Sequence, residues 1–432
     1  MRTSTIRGLV AGLGLALAAG ASPALAGEPV PAPSGLLFGA KQVIEPRAKS
    51  VTAPSLQVDE QGVIHLAWMQ EDNQNGKDIR SVRYARGQAG SPPGASVVVN
   101  RPEELPYGRQ EAPALAVNGD EIFITWALTH PKISPDKPFS SELRLSRSAD
   151  GGRSFLPSVL VNDDSQVMTH SFDSLHLGHD GVLHIAWIDG REGKKEPGTF
   201  AARSADQGKT ITKNVKLDDH TCVCCRTSMA TGPDGTLYVA WRKVFPGSIR
   251  ETVVARSTDG GQTFSEPVVV GHDGWAFFGC PHRPASIGVD RQGRLYVVWY
   301  TEGADETPTV YVTASDDQGR TFAPKRALNV SKGTFPDHPQ MAVDEAGRVV
   351  VVWEEQSPVR REVVVSYSPD SGRTFSRPQK LNDKKGQSPT VAVNEQGFAA
   401  LAWLEHVMPG HKIVLQTLQL PPGPAAERPS NR

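Results

Sequence analysis

All four cysteines of the 432-residue chain fall in two short segments, His220-Thr221-Cys222-Val223-Cys224-Cys225-Arg226 and Gly279-Cys280-Pro281-His282-Arg283. That grouping suits two chemistries. In an oxidising compartment an even count of cysteines in a small region forms disulfides, and a bond from Cys280 to Cys224 or Cys225 would staple the two segments. The pairing itself is not deducible from spacing. Alternatively, thiolates of Cys222, Cys224, Cys225 and Cys280 with the imidazoles of His220 and His282 offer soft donors for copper or zinc, or a redox site, with Met168, His170 and His338 as further donors. The spacing matches no familiar zinc pattern such as paired Cys-x-x-Cys.

For these segments to meet, distant parts of the chain must be brought to one place, and a repeat supplies the means. A glycine turn followed by three or four β-formers and a tryptophan recurs seven times, ending at Trp68, Trp126, Trp187, Trp241, Trp299, Trp353 and Trp403. Before each lies a short alternating strand, such as Ser55 to Asp59 or Gln340 to Asp344, and after each come two more strands, such as Thr252 to Arg256 and Pro267 to Val270. Each repeat therefore predicts a four-stranded antiparallel meander.

A lone meander cannot bury both faces, so the expected fold class is all-β: a single β-propeller over residues 35–420, seven-bladed with six as the alternative. The seventh repeat lacks a fourth strand after Lys412 to Thr417, which predicts that an early strand, Leu36 to Phe38 or Gln42 to Ile44, completes it and closes the ring. No segment shows sustained 3.6-residue periodicity, so helix should be almost absent. In such a ring the segments leading into each first strand and those following each tryptophan share one face. They contain Arg109-Gln110-Glu111, Met168-Thr169-His170, both cysteine segments, Asp337-His338 and Gln387, with Asp189-Gly190-Arg191, Arg242-Lys243, Tyr300, Glu302, Glu354-Glu355 and Glu405-His406. Titratable side chains from several blades should converge on one funnel. Trp275, the tryptophan outside the repeat, precedes Cys280 and could stack on a sugar or plug the cysteine cluster from beneath. His65, His176 and His184 alternate within strands and are read as structural.

The turn between third and fourth strands carries a tighter pattern, Ser-x-Asp-x-Gly-x-Thr-Phe, centred on Asp150, Asp206, Asp259, Asp317 and Asp370. The carboxylate can accept backbone amides and the glycine can take positive φ. With these boxes the chain resembles the sialidase-like, Asp-box (bacterial neuraminidase repeat) β-propellers. In that family the box is a fastening on the rim, which implies that these five aspartates are not catalysts. The resemblance implies a carbohydrate-directed protein, a glycoside hydrolase or glycan binder. It would need arginines to clamp a sugar carboxylate, with Arg191, Arg242, Arg250 and Arg283 as candidates, a tyrosine nucleophile activated by glutamate, here Tyr300 with Glu302, and an acid, here Asp189. The chain departs from the family where its Arg-Ile-Pro motif should open the first blade: Thr52-Ala53-Pro54 stands there, and Arg283-Pro284-Ala285-Ser286-Ile287 is similar to that motif in the fifth. The family's blades number six.

Charge narrows the partners. Formal net charge is -1, and it becomes -3 without Arg2 and Arg7, so no basic excess marks a nucleic-acid or membrane surface. Arg2 and Arg7 precede an apolar run from Leu9 to Ala19 and a small-residue Ala24-Leu25-Ala26 site. This reads as a signal peptide over residues 1–26, giving a periplasmic or secreted protein. The run is too short to span a bilayer. Residues 27–34 and the Pro-rich 421–432 are read as disordered flanks. The expected partner is a glycan or small molecule, and the expected state a monomer. A disulfide-stapled interaction scaffold is the remaining alternative.

Overall fold

The computed structural model describes residues 35–421, apart from 45–47, 89, 92, 108–111, 194, 330–332 and 409. The expected signal peptide, both terminal flanks (421 excepted) and Arg109-Gln110-Glu111 therefore lie outside the described residues.

Seven antiparallel sheets follow one another along the chain. Blade 3 shows the pattern: His170–Leu177, Leu183–Asp189, Gly198–Ser204 and Val215–Asp218 pair in sequence order. Each second strand is mostly apolar up to its tryptophan because that stretch is covered by neighbouring blades on both faces. Its tryptophan is the chief filler: all seven repeat tryptophans are at most 1% exposed. Among the described residues the only helix is a single 3-10 turn at Pro246–Ser248, and no helix is long and apolar enough to cross a membrane.

Closure is as expected, and both candidate strands serve. Leu37–Phe38 and Gln42–Ile44 each pair antiparallel with Gly410–Gln419, the last strand of blade 7. Ile44 is buried with Ala400, Leu404 and Ile413 of blade 7 and Leu56 and Leu66 of blade 1, so the early strand also seals the junction between the first and last blades.

The Asp boxes fold as fastenings. In the fourth of them Asp317 Oδ1 accepts the amides of Arg320 and Thr321 at 3.0 and 2.9 Å, while Oδ2 accepts the Thr321 hydroxyl at 2.6 Å. The box glycine must be glycine: at Gly152, φ is 81° and a Cβ would stand 2.0 Å from Tyr84 Cε1.

Inner strands carry a second repeated device. Blades 3, 6 and 7 are each bulged, between Ser171 and Ser174, Asp337 and Gln340, and Gln387 and Thr390. At these bulges Phe172, His338 and Ser388 adopt φ of 55°, 45° and 52°. A bulge re-aims side chains, and these three all face the central mouth described next.

Candidate functional site

The funnel expected from the sequence is present. On the face where the chain enters the inner strands a cavity of about 620 Å³ is lined from all seven blades, by Thr52 and Ser55, Ala112, Phe172, Cys224 and Arg226, His282, Asp337 and His338, and Gln387. Glu354 and Arg361 add charge to its wall and His411 a further imidazole, whose pKa burial, His406 and Arg361 lower. His338 Nδ1 is 3.0 Å from Glu354 Oε1; burial opposes its protonation, but Glu354 and Asp337 raise its pKa overall. The His282 imidazole is pushed down by burial and by His338. Arg361 and His411 were not singled out by sequence, whereas Arg226 and Asp337 stood in segments expected at the funnel without a role of their own. For Arg226 the signal was its place directly after Cys225. Arg361 begins a third strand, a position that carried no signal.

Beside the funnel lies a recess of about 650 Å³, with Asp337 and Gln356 shared between the two. Here the structure does bring together three residues chosen from sequence. Tyr300 Oη donates to Glu302 Oε1 at 2.7 Å. Arg283 lies 4.2 Å over the Tyr300 ring and is held in place by Asp337, with Nε to Oδ1 at 2.8 Å and Nη2 to Oδ2 at 3.2 Å. Burial, and then the hydrogen bond to Glu302, hold the Tyr300 phenol well above its ordinary range. Phe277, Phe335, Glu306 and Pro308 complete the wall. Trp275 is 2% exposed, packs edge-on to Tyr300 with centroids 5.6 Å apart, and sits 5.0 Å from the Arg242 guanidinium. It is a plug more than a platform.

The four sulfurs form one cluster. Cys224 and Cys280 are joined, a disulfide spanning 56 residues that staples the segments before blades 4 and 5. Cys222 and Cys225 are free and buried, with Sγ atoms 3.4 Å apart. The disulfide reading is the one the structure takes up, and with two sulfurs committed to it the alternative of a four-thiolate cage gives way to a dithiol beside a disulfide. Only His282 of the two flanking histidines stands with the sulfurs, near Cys224 and Cys280. His220 is exposed, and its carbonyl accepts the Val244 amide at 2.7 Å.

Five residues expected at the mouth are elsewhere. Asp189, the expected acid, is 1% exposed in blade 3; it accepts the Trp187 indole N–H and Arg191 Nη2, each at 2.7 Å, and does not line the recess of Tyr300. Arg191 is bound to Asp163 and Asp164 as well. His170 is buried between Asp164 and Asp189, at 3.1 and 3.6 Å; against the effect of burial those carboxylates raise its pKa. Arg242 is buried, its Nη2 donating to the carbonyls of Tyr300 at 2.7 Å and Arg283 at 3.2 Å. Arg250 donates to the carbonyls of Phe277 and Gly279 and to Cys222 Sγ. The arginine clamp therefore does not assemble: of the four, Arg283 alone reaches the recess.

A rule explains the misplaced carboxylates. The residue two positions after the repeat tryptophan accepts its indole N–H in four blades: Gln70, Asp189, Glu355 and Glu405. Where that position is Lys243 or Thr301, Asp218 and Asp273 serve instead. In blade 2 that position is Leu128, and the buried Trp126 indole N–H has no hydrogen-bond partner among the described residues. In the other six blades an acid or amide pairs the buried indole, as buried polar groups generally require, which gives these acids a structural role. The five Asp-box aspartates line neither cavity.

No family model and no curated protein matches the sequence. Solved structures do resemble the fold. A protein of unknown function from Dyadobacter fermentans DSM 18053 aligns at 15% identity over 90% of this chain and 100% of that one, with a TM-score of 0.53. A PL25 polysaccharide lyase, an ulvan lyase solved with -[GlcA(1-4)Rha3S]-, aligns at 10% identity over 84% and 95%, with a TM-score of 0.55. The Hadza microbial sialidase Hz136 aligns at 15% identity over 83% and 77%, with a TM-score of 0.48. At these identities the likeness is one of fold.

Proposed function

We propose that the protein is carbohydrate-directed and holds a glycan across the funnel and the recess beside it. The recess carries the reading: Phe277, Phe335 and Tyr300 stand with Arg283, Glu302 and Asp337 around one space of about 650 Å³. Sugars present apolar ring faces to aromatics and hydroxyls or carboxylates to fixed polar groups, and this wall offers both. The ulvan lyase named above, solved with a uronic-acid-containing chain, supports an acidic polysaccharide as ligand. The test is affinity electrophoresis against acidic and neutral polysaccharides. Retardation by an acidic one, weakened at least about tenfold in Phe335→Ala, is expected; Phe335 is 58% exposed, so its loss should not disturb folding. No retardation by any polysaccharide would overturn the reading.

A second reading, glycoside hydrolysis, is favoured by the Tyr300–Glu302 hydrogen bond. Glu302 would take the phenol proton as Tyr300 Oη attacks the anomeric carbon, and the departing oxygen would draw its proton from Glu306, the other carboxyl of the recess that is not held by Arg283. Release of fluorophore from a fluorogenic sialoside tests it. Export follows from the sequence alone, and a mature amino terminus near Gly27 on protein recovered outside the cytoplasm is its test.

A further inference from the structure

The carbohydrate reading leaves the sulfur cluster unused. Cys222 has no exposure, yet a guanidinium is aimed at it: Arg250 Nη1 donates to its Sγ at 3.0 Å. The Cys225 thiol, then Arg250 and Arg242, bring the Cys222 pKa down against burial, whereas burial pushes Cys225 up. Sulfur buried for packing alone has no need of such company. A thiolate is a nucleophile, and one sealed from solvent can only attack inside the protein. Its electrophile is at hand, because the Sγ atoms of Cys222, Cys224 and Cys225 all lie within 4.8 Å of one another and Cys224 is bonded to Cys280.

We propose that the four sulfurs are one thiol–disulfide exchange site, in which the buried Cys222/Cys225 dithiol reduces the Cys224–Cys280 disulfide and presents Cys280 as an exposed free thiol next to Pro281 of the funnel wall. Cys222 Sγ attacks Cys224 Sγ; the Cys222–Cys224 bond forms, the Cys224–Cys280 bond breaks, and its electron pair leaves on Cys280, which takes a proton from solvent. Cys225 then attacks Cys222 Sγ and Cys224 departs, taking up the proton that Cys225 gives up. The His282 amide, which donates to Cys224 Sγ at 3.4 Å, is placed to steady that departing thiolate. Two thiols and one disulfide stand on each side, so no external oxidant or reductant is consumed. The buried pair is exchanged for one whose member Cys280 is exposed, and the staple between the two loops is released.

The experiment is trapping with N-ethylmaleimide on the folded, full-length protein, followed by acid quench and disulfide mapping by mass spectrometry. Label on Cys280, with Cys222 joined to Cys224 or Cys225, is the expected result. Label confined to Cys222 or Cys225 with Cys224–Cys280 intact, or no label at all, would overturn the proposal. Cys222→Ser adds a second measurement: labelling of Cys280 should slow at least about tenfold while the Cys224–Cys280 bond remains, and an unchanged rate would equally sink it. If that variant fails to fold, the wild-type map decides alone.

Discussion

Tyr300 Oη donates to Glu302 Oε1 at 2.7 Å while Arg283 covers the ring of the same tyrosine at 4.2 Å. A phenol so held is oriented and has a base within reach, although burial keeps its proton on at rest. Tyr300→Phe removes the hydroxyl and leaves the ring that packs on Trp275. We expect unchanged circular dichroism and thermal midpoint, with sialoside turnover falling at least about 10⁴-fold, because the variant deletes the attacking oxygen itself. Full turnover in the variant would remove Tyr300 from the chemistry.

Closure predicts a stability effect far from any cavity. Ile44 is 6% exposed and packs against blades 1 and 7 at once, while its strand pairs with Ile413 to Leu415. Ile44→Ala should cost about 2–4 kcal/mol through lost burial and the space left behind. Urea denaturation reads this directly, and a midpoint equal to wild type would mean the early strand does not close the ring in solution.

What was legible in the sequence was what the repeat enforces. Seven tryptophans, five boxes and an unfinished last blade leave little choice of architecture, because each blade exposes apolar faces that only its neighbours can cover. The meeting of the two cysteine segments followed from the same geometry, and so did a disulfide from Cys280 to Cys224 or Cys225. Side-chain direction was not legible. Asp189 and Tyr300 both lie at the end of the tryptophan strand, two residues and one residue after the tryptophan, yet Asp189 turns inward to cap Trp187 while Tyr300 borders a cavity. Sequence position gives the loop, but the pleat and the nearest unpaired indole decide where a carboxylate points. The recurrence of Gln, Asp or Glu two residues after the tryptophan could have flagged that role.

Buried imidazoles set a pH dependence. His184 is 5% exposed, and burial lowers its pKa to about 4; His176 is lowered in the same way, to about 3. Above the unfolded value of about 6.5 both states hold these rings neutral, and stability is full. As pH falls below 6.5 the unfolded chain binds protons that the folded one refuses, so stability declines down to about pH 4. For His184 the slope is at most about 1.4 kcal/mol per pH unit, the limit for one proton. His170, raised by Asp164 and Asp189, works in the opposite sense, so the comparison is made variant against wild type at each pH. His184→Gln should flatten the fall in urea midpoint between pH 6.5 and 4; an unchanged slope would show that this ring does not contribute.

The disulfide should stabilise the folded chain chiefly by shortening the unfolded one. Cys224 and Cys280 are 56 residues apart, and closing a loop of that length is worth about 4 kcal/mol on chain-entropy grounds, with about 2–4 kcal/mol typical in practice. The variant to use is Cys224→Ser with Cys280→Ser, which leaves Cys222 and Cys225 in place. Those two can form at most a bond across three residues, too short a loop to restore the lost constraint. We expect the urea midpoint of the double variant to fall to that of wild type in reductant, and reductant to have little further effect on the variant. Equal midpoints for wild type and variant without reductant would mean that the staple does not form, and the exchange among the four sulfurs would lose its electrophile.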